Sequence, residues 1–132
     1  MSLRILIVDD SPVARRFVRR VLELSGLPVE AYLEAEDGLS AIEVLRALPV
    51  DVMIADVNMP KMNGEDLIRY LDAQDELRHL AVIVVSTDST AVRVQRLMKF
   101  GARGYVSKPF SPETLRAEIE RVLEVQREHA RK

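Results

Sequence analysis

The regular alternation of short apolar runs with helix-forming segments is the feature that most limits how this chain can fold. The apolar runs predict strands at Leu3–Val8, Val29–Ala35, Asp51–Ala55, Leu80–Val85 and Gly104–Ser107. The segments between them predict helices at Pro12–Leu24, Asp37–Leu48, Gly64–Leu71, Thr90–Phe100 and Pro112–Val125. Strands that alternate with helices in this way predict an α/β fold, with a parallel sheet covered by helices on both faces.

Length and charge limit the class of protein. A chain of 132 residues fits one domain, with its core at about residues 3–125 and a charged tail at 126–132 that we expect to fray. The composition, 48% hydrophobic and 30% charged, is that of a globular protein. A formal net charge of -2 provides no general attraction to nucleic acid or to an anionic membrane, so we expect neither as a partner.

Several kinds of chemistry are absent from the sequence. The chain has no cysteine, which excludes disulfides, thiolate metal sites and cysteine catalysis. It contains no run of about 20 apolar residues and no signal-peptide pattern, so we expect a cytoplasmic protein. Neither GxxxxGK[ST] nor GxGxxG occurs, which argues against direct use of a nucleotide.

Polar residues follow four of the predicted strands. In a parallel sheet the carboxyl ends of all strands lie at one edge, where ligands bind. The residues at these ends are Asp9 and Asp10, then Asp56, then Ser86, Thr87 and Asp88, and finally Lys108 and Pro109. The sequence therefore predicts that three of these acids (Asp9, Asp10 and Asp56), the hydroxyl of Ser86 and the ammonium group of Lys108 converge at this edge.

The excess of carboxylates predicts a bound cation. Two carboxylates about 5 Å apart repel each other by about 3 kcal/mol at an effective dielectric constant near 20. Either the pKa of one acid is raised and it is protonated, or a divalent cation binds. Ligation by oxygen atoms in an open crevice favours Mg²⁺, with Mn²⁺ as an alternative. A cation, a lysine and a hydroxyl form a clamp for a phosphoryl group, and Asp56, alone on its strand end, suits a carboxylate nucleophile.

Each of these residues also has an ordinary structural interpretation. The acidic pair is compatible with helix capping, Asp56 with a turn, Ser86 with a strand end and Lys108 with a solvated surface. The functional hypothesis depends on their joint occurrence, in this order, at one edge of one sheet.

Four segments resemble the receiver domain of two-component response regulators. They are IVDDSPVARR, EAEDG, DVNMPKMNG and GARGYVSKPF, and the resemblance extends over roughly residues 3–125. Among receivers the chain is most similar to the single-domain chemotaxis type. The resemblance implies a flavodoxin-like (βα)5 fold with strand order 2-1-3-4-5, and a phosphoprotein of phosphorelay signal transduction that is not a turnover enzyme.

The resemblance also implies which residues bind the metal and accept phosphate. Asp56 corresponds to the phosphoacceptor. Asp10, Asp56 and the backbone carbonyl of Asn58 would bind Mg²⁺ directly, and Asp9 would act through metal-bound water.

Further roles follow from the same resemblance. Lys108 would contact the phosphoryl oxygens, and Pro109 matches a cis proline that aims this lysine. Ser86 matches the switch hydroxyl that is drawn toward the phosphate. Tyr105 matches the aromatic residue that then turns inward and alters the surface of the fourth helix, fifth strand and fifth helix.

Three positions bear on reaction rates. Thr87 stands where receivers usually have alanine or glycine, and its bulk is expected to narrow access to the phosphoryl group. Asn58 and Asp88 match positions that tune the attack of water, and we expect them to set the lifetime of the phosphorylated state.

The implied partners are a sensor histidine kinase and a downstream target protein, with chemotaxis or motility as a candidate output. A phosphorelay intermediate that passes its phosphate on is an alternative. We expect a monomer, with phosphorylation-dependent dimerisation as an alternative. Two other classes stay open: an aspartyl-phosphate hydrolase, although its D-x-D pattern would need an acid at Ser11, and an interaction module whose crevice is chemically idle.

The first predicted helix carries two further patterns. Its arginines, Arg15, Arg16, Arg19 and Arg20, predict a solvated face or a contact with an acidic partner such as the kinase. Its apolar residues, Val13, Phe17, Val21 and Leu24, are predicted to lie in the core.

Overall fold

The computed structural model describes residues 2–57, 64–87 and 90–130. The strands are β1 (Leu3–Val8), β2 (Val29–Ala35), β3 (Val52–Asp56), β4 (Ala81–Ser86) and β5 (Gly104–Ser107). The helices are α1 (Pro12–Ser25), α2 (Gly38–Ala47), α3 (Gly64–Asp72), α4 (Ala91–Phe100) and α5 (Pro112–Ala130), with a short 3₁₀ turn at Asp75–Leu77. The predicted elements are confirmed, and most of their ends agree within one or two residues.

The sheet is parallel, with strand order β2-β1-β3-β4-β5. This confirms the predicted order. Val8 pairs in register with Ala55, so the residue that follows each of them, Asp9 and Asp56, lies at the same level of the sheet edge. The register therefore brings two acids from distant parts of the chain next to each other.

Helices cover both faces of the sheet, as predicted. Ile5 and Ile7 of β1 point into the core on the side of α1 and α5, whereas Leu6 and Val8 point into the core on the side of α2, α3 and α4. Because both faces are buried, the central strands are continuously apolar instead of alternating with polar residues. This packing fixes the backbone that carries the polar residues at the strand ends.

The predicted core face of α1 is wrong for three of its four residues. Val13, Phe17 and Leu24 are 66%, 52% and 59% exposed, and only Val21 is buried. The buried side of α1 instead consists of Val18, Val21 and Leu22. The helix has apolar residues on more than one side, so periodicity alone did not identify the side that packs on the sheet and α5.

The carboxyl-terminal helix is longer than predicted. The sequence predicts a last helix that ends near Val125, followed by charged residues that fray, whereas α5 continues to Ala130. Gln126 lies in this extension and donates a hydrogen bond from its Nε2 to the carbonyl oxygen of Leu80, at 3.3 Å. The extension is therefore attached to the amino-terminal edge of the sheet.

Serine side chains cap the first turns of α1 and α5. The hydroxyl of Ser11 accepts the N–H of Ala14, and the hydroxyl of Ser111 accepts the N–H of Thr114. Each serine is followed by a proline in the first turn, where the missing N–H costs no hydrogen bond. Within the described residues, no helix is both long enough and apolar enough to span a bilayer.

Candidate functional site

Two carboxylates and a lysine meet at the carboxyl edge of the sheet. The Nζ of Lys108, which follows β5, lies 3.0 Å from Oδ2 of Asp56 at the end of β3. The same Nζ lies 3.7 Å from Oδ2 of Asp9, which follows β1. One ammonium group thus bridges two acids that repel each other, and its positive charge partly offsets that repulsion.

Asp9 is the buried member of this group, with 3% of its surface exposed. Its Oδ1 accepts the N–H of Ser11 at 2.9 Å, which fixes the carboxylate at the start of α1. Burial raises the pKa of Asp9, and the charge of Asp56 and a hydrogen bond with Asp10 raise it further. The Ser11 N–H and the charge of Lys108 act in the opposite direction, but the net pKa remains raised. The chain therefore holds this carboxylate in an environment where a further positive charge would stabilise it.

Asp10 is the exposed member of the acidic group. Its side chain lies near enough to Asp9 to raise the pKa of that carboxyl, so Asp9, Asp10 and Asp56 belong to one neighbourhood. Within residues 2–57, 64–87 and 90–130, however, no three acidic or histidine side chains form a preformed metal-binding group. The predicted ligand at the carbonyl of Asn58 lies outside the described residues.

The available donors nevertheless suit Mg²⁺. They are carboxylate oxygens at an open edge, and Mg²⁺ in proteins typically keeps several waters and takes only one or two carboxylates. The acids of the site also outnumber its one lysine, so negative charge remains that a divalent cation would offset. The residues present fit this ion, and its binding remains a prediction.

The ends of β4 and β5 complete the edge. Ser86 is almost fully buried, and its carbonyl oxygen accepts the N–H of Lys108 at 2.8 Å. The peptide bond between Lys108 and Pro109 is cis, as the resemblance implies. Thr87, the next residue after Ser86, is exposed. The predicted rate-tuning residue Asp88, like Asn58, lies outside the described residues.

Tyr105 lies on β5, partly buried against the hydrophobic core on the α4 side of the sheet. Its backbone N–H donates a 2.8 Å hydrogen bond to Oε2 of Glu118 on α5. Because β5 is an edge strand, this carboxylate occupies a backbone donor that has no further strand to pair with. Glu118 was not identified from the sequence, because a glutamate among the charged residues of a helix gives no local sign of a contact with a strand backbone.

Glu118 is also held by Arg121, whose Nε and Nη2 donate to its carboxylate at 2.8 and 3.0 Å. Burial alone would raise the pKa of Glu118, but the hydrogen bonds from Arg121 and from the Tyr105 N–H outweigh it, and the pKa is lowered. Gly104 permits this approach, because a Cβ there would lie 2.9 Å from Oε2 of Glu118 and from a methyl group of Val122.

We predict that Glu118→Gln lowers the free energy of unfolding by about 1–2 kcal/mol at pH 7, because a charged hydrogen-bond acceptor is lost. The pKa of Glu118 is lowered from its ordinary value of 4.5, so the carboxylate stabilises the fold above that pH. This contribution is lost as the pH falls below 4.5 and through the folded-state pKa. Urea unfolding at pH 7 and at pH 3.5 should therefore show a smaller difference between variant and wild type at the lower pH.

The matched control is Glu120→Gln, on the same helix, which removes an exposed pair with Arg116. Its effect at pH 7 is expected to stay below about 0.5 kcal/mol, as for other surface pairs. An equal loss of stability in Glu118→Gln at both pH values would contradict the role assigned to the carboxylate.

Two further residues that support the site were not identified from the sequence. Gly64, the first residue of α3, packs so closely that a Cβ there would lie 2.5 Å from the Cα of Val57 and 3.0 Å from the carbonyl oxygen of Asp56. Arg15 on α1 donates to the carbonyl oxygen of Asp9 at 2.6 Å. Both contacts hold backbone directly beside an acid of the site.

Comparison with known proteins identifies the relatives of this chain. The family model described as the response regulator receiver domain matches residues 5–120. The chain is 38% identical to chemotaxis protein CheY1 of Helicobacter pylori over 122 residues, covering 92% of this chain and 97% of that protein. It is 36% identical to chemotaxis protein CheY of Pseudomonas aeruginosa, with the same coverage. The structure of the chemotaxis response regulator CheY4 of Vibrio cholerae matches with a TM-score of 0.80 and 33% identity, over 93% of this chain and 100% of that one.

Proposed function

Because this chain belongs to the response regulator receiver domain family, we propose that it accepts a phosphoryl group from a histidine kinase onto Asp56 and signals by binding a partner protein. The observation that carries the proposal is the 3.0 Å contact between Lys108 Nζ and Asp56 Oδ2, with Asp9 on the other side of the lysine. A carboxylate nucleophile in reach of a fixed ammonium group is the arrangement that phosphoryl transfer needs.

In the proposed reaction, a carboxylate oxygen of Asp56 attacks phosphorus while the bond from phosphorus to the donor nitrogen breaks. The leaving histidine retains the bonding electron pair, and the product is an acyl phosphate on Asp56. Lys108 contacts the phosphoryl oxygens, on which negative charge accumulates. Because its Nζ is already positioned between Asp56 and Asp9, little reorganisation is needed at the moment of transfer.

Asp10 and Asp56 would hold Mg²⁺ directly, together with the predicted carbonyl of Asn58, and Asp9 would hold it through water. When bound, the cation neutralises charge on the carboxylates and on the transferring phosphoryl group. The buried Asp9 side chain, oriented by the Ser11 N–H, keeps one face of this site negative.

The proposed output is a change in the surface formed by α4, β5 and α5. Ser86 is buried at the end of β4 and would move toward a phosphoryl group on Asp56, whereas Tyr105 would move inward from its partly buried position. Val92, which is 77% exposed, and Met98 provide apolar side chains on α4 that a partner protein would cover. The relatives are named chemotaxis proteins, and a chemotaxis output is our proposal for this chain.

The kinase would approach over α1. Three of its four arginines already have partners within the chain: Arg15 contacts Glu34, Arg19 stacks on Tyr32, and Arg20 pairs with Glu23. The arginine face is therefore less available to an acidic partner than the sequence suggested.

Apolar side chains near the site form a better docking surface. Val13 and Phe17 are exposed in the first half of α1. The rings of Phe17 and Phe110 pack in a T-shaped arrangement with their centroids 5.8 Å apart, and Phe110 directly follows the Lys108–Pro109 bond. A kinase that covers Val13 and Phe17 would reach Asp56 from this side of the domain.

Intact-mass spectrometry after incubation with Mg²⁺ and a small acyl phosphate tests the proposal. We expect one added phosphoryl mass that does not appear when the metal is chelated before the donor is added, and that maps to the peptide containing Asp56. An unmodified protein at saturating donor would contradict it. Rapid multiple-turnover hydrolysis of phosphomonoesters would instead support the hydrolase alternative, and transfer onward to a second histidine protein would support the phosphorelay alternative.

A further inference from the structure

A cavity of about 620 Å³ lies at the amino-terminal edge of the sheet, opposite the site described above. It is bounded by the residues that lead into β1, β3, β4 and β5 and by the last turns of α5. The strand β3 separates the two ends, and its five residues span roughly 15 Å at 3.3 Å per residue. The cavity is therefore separate from the phosphoryl-transfer residues, and its volume is in the range of small-molecule sites.

Arginines dominate the charge around this cavity. Those that line it are Arg78, Arg103, Arg121 and Arg127. His79 also lines the cavity, and Asp51 is the one carboxylate among the lining residues that the structure describes. Asp51 already accepts hydrogen bonds from the backbone N–H and the Nε of Arg4, at 2.8 and 3.3 Å, so its charge is offset from outside the cavity.

Most of these arginines retain capacity for a ligand. Among the residues that the structure describes, Arg78 pairs with exposed Asp75 at 3.6 Å and Arg127 with exposed Glu124 at 3.7 Å. Both partners lie within one turn of their arginine, and such exposed pairs contribute little. Arg103 forms no ion pair with a carboxylate in the part of the chain that the structure describes. Arg121 is different, because its guanidinium group is hydrogen-bonded to Glu118. It therefore forms part of the cavity wall and is not assigned a contact with the ligand.

The rest of the lining is mainly apolar. Leu3, Val122, Leu123 and Val125 contribute to it, and Val125 is 40% exposed although it is a large hydrophobic residue. Because α5 continues past Val125, the lining side chains other than Leu3 stand with Arg127 on one helical wall. Guanidinium groups at the rim of an apolar wall match a ligand that has an apolar body and an acidic group.

We propose that this cavity binds a small organic anion. The anion has an apolar or aromatic body and one or two carboxylate, phosphate or sulfonate groups. Arg103 and Arg127 contact the acidic group, and Leu123 and Val125 contact the apolar body. The proposal is independent of phosphorylation at Asp56, and either can fail without the other.

Naphthalene-1-sulfonate is a suitable probe, because it has this combination of groups and cannot donate a phosphoryl group. Titration into the ¹⁵N-labelled full chain, without Mg²⁺, is expected to shift the amide signals of Arg78, Arg103, Val122 and Gln126 in a saturable way. The signals of Asp9 and Lys108 should stay in place. Methanesulfonate and naphthalene should bind at least about tenfold more weakly, because each lacks one half of the recognition.

Substitutions at the rim complete the test. The double variant Arg103→Gln/Arg127→Gln is expected to weaken binding of the probe about tenfold, from two charge-assisted contacts. Arg16→Gln, which removes an exposed arginine on α1, is the matched control and should bind as wild type does. Both changed arginines are exposed, so the variants should fold, which amide spectra without probe will verify.

The proposal is overturned if the shifts do not saturate, if they scatter over the surface, or if the double variant binds as tightly as Arg16→Gln. It is also overturned if an acidic peptide shifts these amides and naphthalene-1-sulfonate does not, because the surface would then serve a protein partner.

Discussion

Replacing Asp56 by asparagine is expected to abolish the addition of a phosphoryl group from a small acyl phosphate in the presence of Mg²⁺. The amide has nearly the same shape as the carboxylate, but its oxygen is a far weaker nucleophile, and an acyl phosphate cannot form on it. The 3.0 Å contact with Lys108 would become an ordinary hydrogen bond to an amide oxygen, so the local fold should be kept. Intact-mass spectrometry should show the full added mass in wild type and none in the variant.

The control is Asp75→Asn, which makes the same chemical change at a 94% exposed residue in the turn before β4. This variant should be phosphorylated to the same extent as wild type. If Asp56→Asn gains the same mass as wild type, another group at the sheet edge is the acceptor, and the assignment of Asp56 is wrong. Peptide mapping would then distinguish Asp9 and Asp10 from Ser86.

Much of the fold could be predicted from the sequence because several local signals agree. Runs such as Leu3–Val8 are too continuously apolar for a half-exposed strand, and serine and proline mark the start of the helices that follow. Once the sheet is known to be parallel, the residues after its strands must share an edge. This is why Asp9, Asp56 and Lys108 could be grouped before their distances were known.

The parts that could not be predicted depend on contacts between distant segments. The buried side of α1 is selected by its packing on the sheet and α5, and the apolar pattern that includes Phe17 fits a second side equally well. Glu118 acts through the backbone of a strand that precedes it by 13 positions. Gly64 matters because a Cβ there would meet the backbone of Val57, next to Asp56, and no periodicity in the sequence indicates such an approach.

Lys108→Gln is expected to change two properties in opposite directions. Removal of the ammonium group that lies 3.0 Å from Asp56 and 3.7 Å from Asp9 leaves the two carboxylates without their cation, so the affinity for Mg²⁺ should rise at least about threefold. The rate of phosphorylation should fall by about 10²–10³, because a fixed donor to the phosphoryl oxygens is lost. Calorimetric titration with Mg²⁺ and the time course of mass gain at saturating Mg²⁺ measure the two effects separately.

Lys99→Gln, on the exposed last turn of α4, is the matched control, because it removes the same charge away from the site. It should alter neither the affinity for Mg²⁺ nor the rate. A purely structural lysine would give a different result, since loss of its contacts would disorder the acids and lower both the affinity and the rate together. Opposite changes in the two measurements therefore separate a lysine that competes with the cation and then stabilises the phosphoryl group from one that only holds the strand ends in place.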